Sequence, residues 1–289
     1  MAKAVAKKEA AGAVAVPDFM KNYAGEGQDD ISRDDITMPR LKLGQALTPE
    51  VQEGLAKEGD LIHNITREAI CLAGETIRVI AIAYTKEYIL WYDRDGPQGG
   101  GIAARAFREK QRDGTVRYKW DKPHTTFTDK LDGKLPVEYT TAEYIDEDGL
   151  GEWGSQVPGD ADSAPAATAH HNYVLILPDH DNQMVAISLS KSSEGKAKEF
   201  NTLQKMGPVP TYARVYELGT FTDVSKKKGD KFANYQFGKW EPVQDEDQFN
   251  ALRDLHLSLK EKGVNVDFSD EDGGSEARTV DAESTTEKF

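Results

Sequence analysis

Thr76-Ile77-Arg78-Val79-Ile80-Ala81-Ile82-Ala83-Tyr84 is a run of β-branched and small apolar residues broken by one charge, and Glu87-Tyr88-Ile89-Leu90-Trp91-Tyr92 follows two residues later. Branching at Cβ favours extended backbone, so both stretches read as strands. Asp93-Arg94-Asp95-Gly96-Pro97 closes the second. On the N-terminal side, Ile36-Thr37-Met38-Pro39-Arg40-Leu41-Lys42-Leu43 alternates after its proline and predicts a short extended lead-in. Thr48-Pro49-Glu50 has the order of a helix start, with proline at the first helical position.

On the C-terminal side, Arg112-Asp113-Gly114-Thr115 predicts a hairpin turn, because Asp-Gly accepts the positive φ angles of a tight turn. Residues 131–168 are rich in Gly, Pro, Asp and Ala and predict a long irregular insertion. Residues 172–177 and 183–189 form a second hairpin around the turn residues Pro178-Asp179-His180-Asp181-Asn182. A helix follows over 194–206, with Phe200, Leu203 and Met206 on one face. Strands over 212–221 and 231–240 flank the loop Lys226-Lys227-Lys228-Gly229-Asp230. A last helix over 244–262 carries Phe249, Leu252, Leu255 and Leu259 as its stripe, Asp245 and Gln248 as a capping box, and Gly263 as its stop.

Strands in this order pair with their neighbours and do not alternate with helices. The fold class expected is therefore mainly β (α+β): an antiparallel OB-like barrel with insertions and peripheral helices. Residues 1–30 read as a disordered leader, 31–266 as the β-rich OB-like domain with its loop-rich insertion, and 267–289 as a disordered acidic tail.

Bulk chemistry narrows the function. The net charge is −14, which opposes binding a polyanion unless the basic residues are gathered locally. No apolar run approaches the ~20 residues of a membrane span, so no membrane partner and a cytoplasmic location are expected. The single cysteine, Cys71, excludes an internal disulfide and any Cys-rich zinc site, and its apolar surroundings predict a buried, inert thiol. Phosphate-loop, dinucleotide, HExxH and GxSxG signatures are all missing, so no catalytic residues and no cofactor are assigned and the chain is read as a non-enzyme. His170, His171 and His180 near Asp179 and Asp181 have metal-ligand chemistry, but His170 and His171 point to opposite sides of an extended chain, and no metal site is assigned.

Bases interleaved with aromatics give the positive signal. Residues 186–240 hold ten bases against five acids, a local balance of +5, together with eight aromatic residues. The candidates there are Lys191, Lys196, Lys198, Arg214, Lys226, Lys227, Lys228, Lys231, Tyr235, Phe237, Lys239 and Trp240. Residues 105–122 hold seven bases against three acids, and contribute Arg105, Arg108, Arg117, Tyr118, Lys119 and Trp120. Cations track phosphates while aromatic faces stack on unpaired bases without regard to sequence, the combination a single-strand binder requires.

The tail is the most specific feature. Residues 267–289 contain eight acids, two bases and few apolar residues, and end on Phe289. In this it resembles the tails of single-stranded DNA-binding proteins of bacteria and tailed bacteriophages, with Lys288 as a departure from their pattern. The resemblance covers the tail and the general order of β core, helix and tail. It implies a protein that coats exposed strands during DNA replication or recombination and recruits partner proteins through Asp270, Glu271, Asp272 and Phe289. Self-association of the β domain is left open. The alternative is a virion or assembly protein without DNA binding, whose β domain packs against other copies.

Overall fold

The two strands expected at residues 76–84 and 87–92 are one strand. In the structure, a computed structural model that describes residues 37–92, 100–129, 137–225 and 229–262, β4 runs unbroken over Thr76–Trp91. Thr85 and Lys86, the expected break, pair with Asn172 and His171 of β9 (Ala167–Leu177). The break is replaced by a bulge: the register with β9 shifts between Ala81 and Ala83, leaving Ile82 as the extra residue. One extra residue swaps the two faces of a strand. Ile77, Val79 and Ala81 face one core before the bulge, and even-numbered Tyr84, Lys86 and Tyr88 take over that side after it. His256 Nδ1 donates to the Ile82 carbonyl at 2.7 Å, satisfying a backbone group at the bulge.

Antiparallel neighbours extend the sheet on both sides of β4. β10 (Gln183–Ser190) follows β9, while β11 (Arg214–Val224) and β12 (Lys231–Pro242) lie on the other side, in the order β10-β9-β4-β11-β12. β11 uses only Thr76 to Ile80 of β4; β5 (Ile102–Lys110) takes the same edge from Glu87 to Trp91 and carries β6 (Val116–Trp120). Residues 81–86 have no strand on that edge among the described residues, so the sheet forks there.

A small sheet of β1 (Leu41–Leu43), β2 (Leu61–His63) and β3 (Ala69–Cys71) closes over one side. Arg40 bridges Ala186 of β10, and the Gln45 side chain donates to the Ala233 carbonyl and accepts from its N–H on β12, at 2.7 and 3.1 Å. A glutamine thus supplies, across the gap between the two ends of the sheet, the pair of bonds a strand would make. Leu41, Leu61, Val79, Leu175, Ile187 and Leu218 are buried together on this side. Fully burying each such side chain contributes about 1.5–3 kcal/mol. Cys71 is buried here as expected, and burial pushes its thiol up to about 11.

Helices cover what the strands leave open. The short α1 (Pro49–Gln52) begins at the expected proline. α3 (Glu194–Met206) has the bounds the sequence predicts, and it sets Phe200 flat against Phe237 at 3.8 Å between ring centres. α4 (Glu246–Lys262) lays Leu252 and Leu259 on Ile80, Ile82, Val174 and Ile176, the opposite face. Asp245 Oδ1 accepts from the Gln248 N–H at 2.7 Å, half of the expected capping box.

The predicted irregular insertion contains more order than composition indicated. β7 (Thr126–Asp129) and β8 (Val137–Thr140) pair, and α2 (Ile145–Asp148) follows. They enclose Trp120, Phe127, Tyr139, Ile145 and Leu150 over the far end of β4 and β5. The mainly β, antiparallel class is thus as expected, and the described strand order contains no closed barrel. The leader over 1–30 and the tail over 267–289 lie outside the described residues. Among the described residues no helix is long and apolar enough to cross a membrane.

Candidate nucleic-acid interface

Tyr84, Lys86 and Tyr88 occupy alternate positions of β4, so they share a face. Cross-strand pairing extends that face: Tyr88 lies opposite Ala106, Ala106 opposite Trp120, and Arg108 opposite Tyr118. On the other side, Tyr84 lies opposite Tyr173 and Lys86 opposite His171. α3 covers one end of this face through Phe200, and α2 with β7 and β8 covers the other. The stretch of this face between the two covers, lined by Tyr84, Lys86, Tyr88, Arg108 and Tyr118, is called the trough below.

The floor is built from aromatic rings with cations among them. Tyr88 and Tyr118 meet edge to face at 5.0 Å, and Lys86 Nζ sits 4.4 Å from the Tyr88 ring centre and 5.3 Å from that of Tyr118. Tyr84 leans on Tyr173 at 5.0 Å and is 41% exposed, so its outer face is open to solvent. The two tyrosine stations are four residues apart on one strand, about 13 Å. Arg108 is exposed beside Tyr118 and Tyr84, and Lys198 of α3 adds a cation already paired with Glu194 at 2.7 Å.

A partly buried polar network adjoins these side chains on the same face. The Tyr84 hydroxyl and His171 Nδ1 share a hydrogen bond of 2.8 Å, and the Tyr173 hydroxyl donates to Asn201 Oδ1 at 2.9 Å. His171 is held down to about 4, by burial first and then by Lys86. His170 faces the other side of β9, bonded to Ser188 Oγ at 3.2 Å, and burial holds it down to about 3. Both rings are therefore neutral when folded, whereas an unfolded histidine titrates near 6.5. Below that value the unfolded chain binds more protons, so stability is lost as pH falls from about 6.5 towards 4, at about 1.4 kcal/mol per pH unit per ring. Melting temperature should drop through this window, and less steeply in His171→Gln. An identical slope in that variant would remove the histidine from the account.

The residues predicted from sequence are scattered by the fold. Arg108, Tyr118 and Lys198 reach the trough. Trp120 does not: it is 2% exposed and its indole N–H donates to Asp148 Oδ2 at 2.7 Å, which makes it core. Tyr235 is likewise buried, and Phe237 stacks on Phe200. Arg214 is buried at the C-terminus of α3, donating to the Gln204 and Leu203 carbonyls, with Trp240 against it at 4.9 Å. These residues read as DNA-binding because aromatic and basic types alternate along the hairpin, but that side of the hairpin is turned inward.

Arg117 is spent on Asp146 and Glu147 and lies over the Tyr144 ring, and Lys119 pairs with Glu143 at 3.2 Å. Both, with Arg105, belong to the face opposite Tyr118. Lys196 pairs with Glu199 over the Phe221 ring. Lys191, Lys231 and Lys239 are exposed. Lys226, Lys227 and Lys228, with Asp270, Glu271, Asp272 and Phe289, lie outside the described residues. Tyr84, Lys86 and Tyr88 were missed, although their spacing at every second residue in a strand was the signal that joins them. Among the described residues no group of three or more His, Cys, Asp or Glu side chains is placed to hold a metal ion.

Comparison with the curated proteins and with the solved structures returns no match. The model of the Pam3 phage gp34-like protein family matches residues 6–265, and on that match over most of its length the chain belongs to this phage protein family.

Proposed function

We propose that this phage-family chain binds single-stranded DNA in the trough on β4, β5 and β6, coating exposed strands during replication or recombination without catalytic turnover. The observation that carries the reading is one sheet face lined by the exposed Tyr84 and the half-buried Tyr88 and Tyr118, with Lys86 and Arg108 among the rings. Unpaired bases stack on such rings whatever their identity, while the cations take phosphates.

The strand order supports an OB-type reading. β4, β9, β10, β11 and β12 serve as its five strands, α3 lies between the third and fourth, and the fork region is a long insertion between the first and second. The same fold class commonly binds oligonucleotides with the loop between its last two strands, here the segment holding Lys226, Lys227 and Lys228.

The test is fluorescence anisotropy with a labelled oligothymidine at two salt concentrations. Binding that weakens as salt rises is expected, since phosphate contacts release counterions. No binding at low salt would overturn the reading, and stable multimers without DNA would favour the assembly alternative. For the tail we expect competition with DNA and recruitment of replication or recombination proteins. Deleting residues 267–289 changes the net charge from −14 to −8, because eight acids and two bases leave, so low-salt affinity should rise. Unchanged low-salt affinity would make the tail a solubility segment.

A further inference from the structure

Trp153 is 70% exposed, in a chain whose Trp120 is 2% exposed and whose Trp91 and Trp240 are half-buried. It stands on a turn fastened at both ends. The Ser155 hydroxyl donates its one hydrogen between the Leu150 and Glu152 carbonyls, 2.9 and 2.7 Å away, and its oxygen accepts from the Ala166 N–H at 2.9 Å. The Gly154 N–H donates to the Ser163 carbonyl at 2.9 Å. Leu150 is anchored in the core beneath α2.

The turn rests against the trough. A Cβ at Gly151 would lie 3.1 Å from Tyr88 Cε1 and 3.0 Å from Ile145 Cδ1, so the backbone there sits close to the Tyr88 ring and a side chain would have to push Ile145 or Tyr88 aside. Residues 150–153 thus form the wall beside the Tyr88–Tyr118 station, and the most solvent-exposed tryptophan of the chain stands two residues beyond the contact.

We infer that Trp153 stacks on an unpaired nucleobase at the rim of the trough, a third aromatic station for the strand bound to Tyr84 and Tyr88. The inference rests on the single-strand reading of the trough. A large exposed indole on a turn whose backbone is already fastened offers its face to a ligand without the cost of ordering that backbone on binding. Its ligand is a base face that only an unpaired nucleotide presents, so it favours single over double strands and is indifferent to sequence.

Oligothymidine binding is measured by anisotropy and by intrinsic tryptophan fluorescence on the full chain. Quenching on binding is expected for the unaltered protein and is expected to vanish in Trp153→Phe, which keeps a ring for stacking and retains most of the affinity. Trp153→Ala should weaken single-strand binding by about 5-fold or more, with unchanged melting temperature and a smaller preference over duplex. Retained oligonucleotide binding with full affinity and quenching in these variants, or a change confined to self-association, overturns the inference and leaves the trough reading standing. Failure of the unaltered chain to bind any oligonucleotide removes both.

Discussion

Reversing two charges, Lys86→Glu with Arg108→Glu, should lower affinity for a single-stranded oligonucleotide by about 100-fold at 0.1 M salt. Each phosphate contact to a single strand contributes about 0.7 to the slope of log affinity against log salt. Two lost contacts take about 1.4 from that slope, or roughly 25-fold at 0.1 M relative to 1 M, and the reversed charges add repulsion. Lys86 is placed for this by its seat between the Tyr88 and Tyr118 rings, and Arg108 by its pairing opposite Tyr118. Neither side chain holds the core: Arg108 is exposed, and Lys86 makes one hydrogen bond, to the Tyr88 hydroxyl at 2.7 Å. Melting temperature should therefore change little. The same reversal at Lys239 of β12 and Lys260 of α4, both exposed and away from the trough floor, supplies the comparison. An equal loss from that pair would mean that overall charge governs binding, and unchanged affinity and slope in the trough variant would remove the trough from the function.

How far this site could be read from the sequence depends on which kind of signal each part leaves. The strands and helices from residue 167 onward were legible because turn residues and helical spacing mark their ends locally. α3 and its bounds follow from Phe200, Leu203 and Met206 at helical spacing after Ser192-Ser193. The single length of β4 was not legible, because a bulge at Ile82 leaves no local mark and Thr85-Lys86 looks like a polar break. That one error hid the trough, since treating β4 as two strands separates Tyr84 from Lys86 and Tyr88. The basic and aromatic patches were legible as composition. Which of their members face solvent was not, because burial depends on partners remote in sequence. Trp120 is the instructive case: it stands two residues from Tyr118 on the same face, yet Asp148, far along the chain, claims its indole. Tyr118 itself is only half-buried, and burial pushes its hydroxyl up to about 12. It stays protonated at neutral pH and adds no negative charge to the trough.

Arg214 separates the sequence reading from the structural one most sharply, and its replacement should unfold the protein well before it affects DNA. The last turn of a helix leaves carbonyls without partners, and the helix dipole makes that end negative. Arg214, 2% exposed, answers both: its guanidinium donates to Gln204 at 2.8 Å, to Leu203 at 3.3 Å and to the Val209 carbonyl beyond the helix. Gly207 leaves the room, since a Cβ there would run into the Arg214 guanidinium. Arg214→Leu keeps a comparable apolar bulk against Trp240, strands three half-buried carbonyls, and removes hydrogen bonds from a charged donor worth about 1.5–3 kcal/mol each where water does not replace it. A loss of about 3–5 kcal/mol is expected, with a fall in melting temperature of about 10 °C. Gly207→Ala, which pushes the guanidinium out by steric contact alone, should act in the same direction. Arg214→Lys restores the charge but not the fork, and should recover only part of the loss. Oligonucleotide affinity per folded molecule should stay that of the unaltered chain in all three. If Arg214→Leu instead melts normally and loses affinity, the guanidinium is reaching a phosphate, and its assignment as the cap of α3 fails.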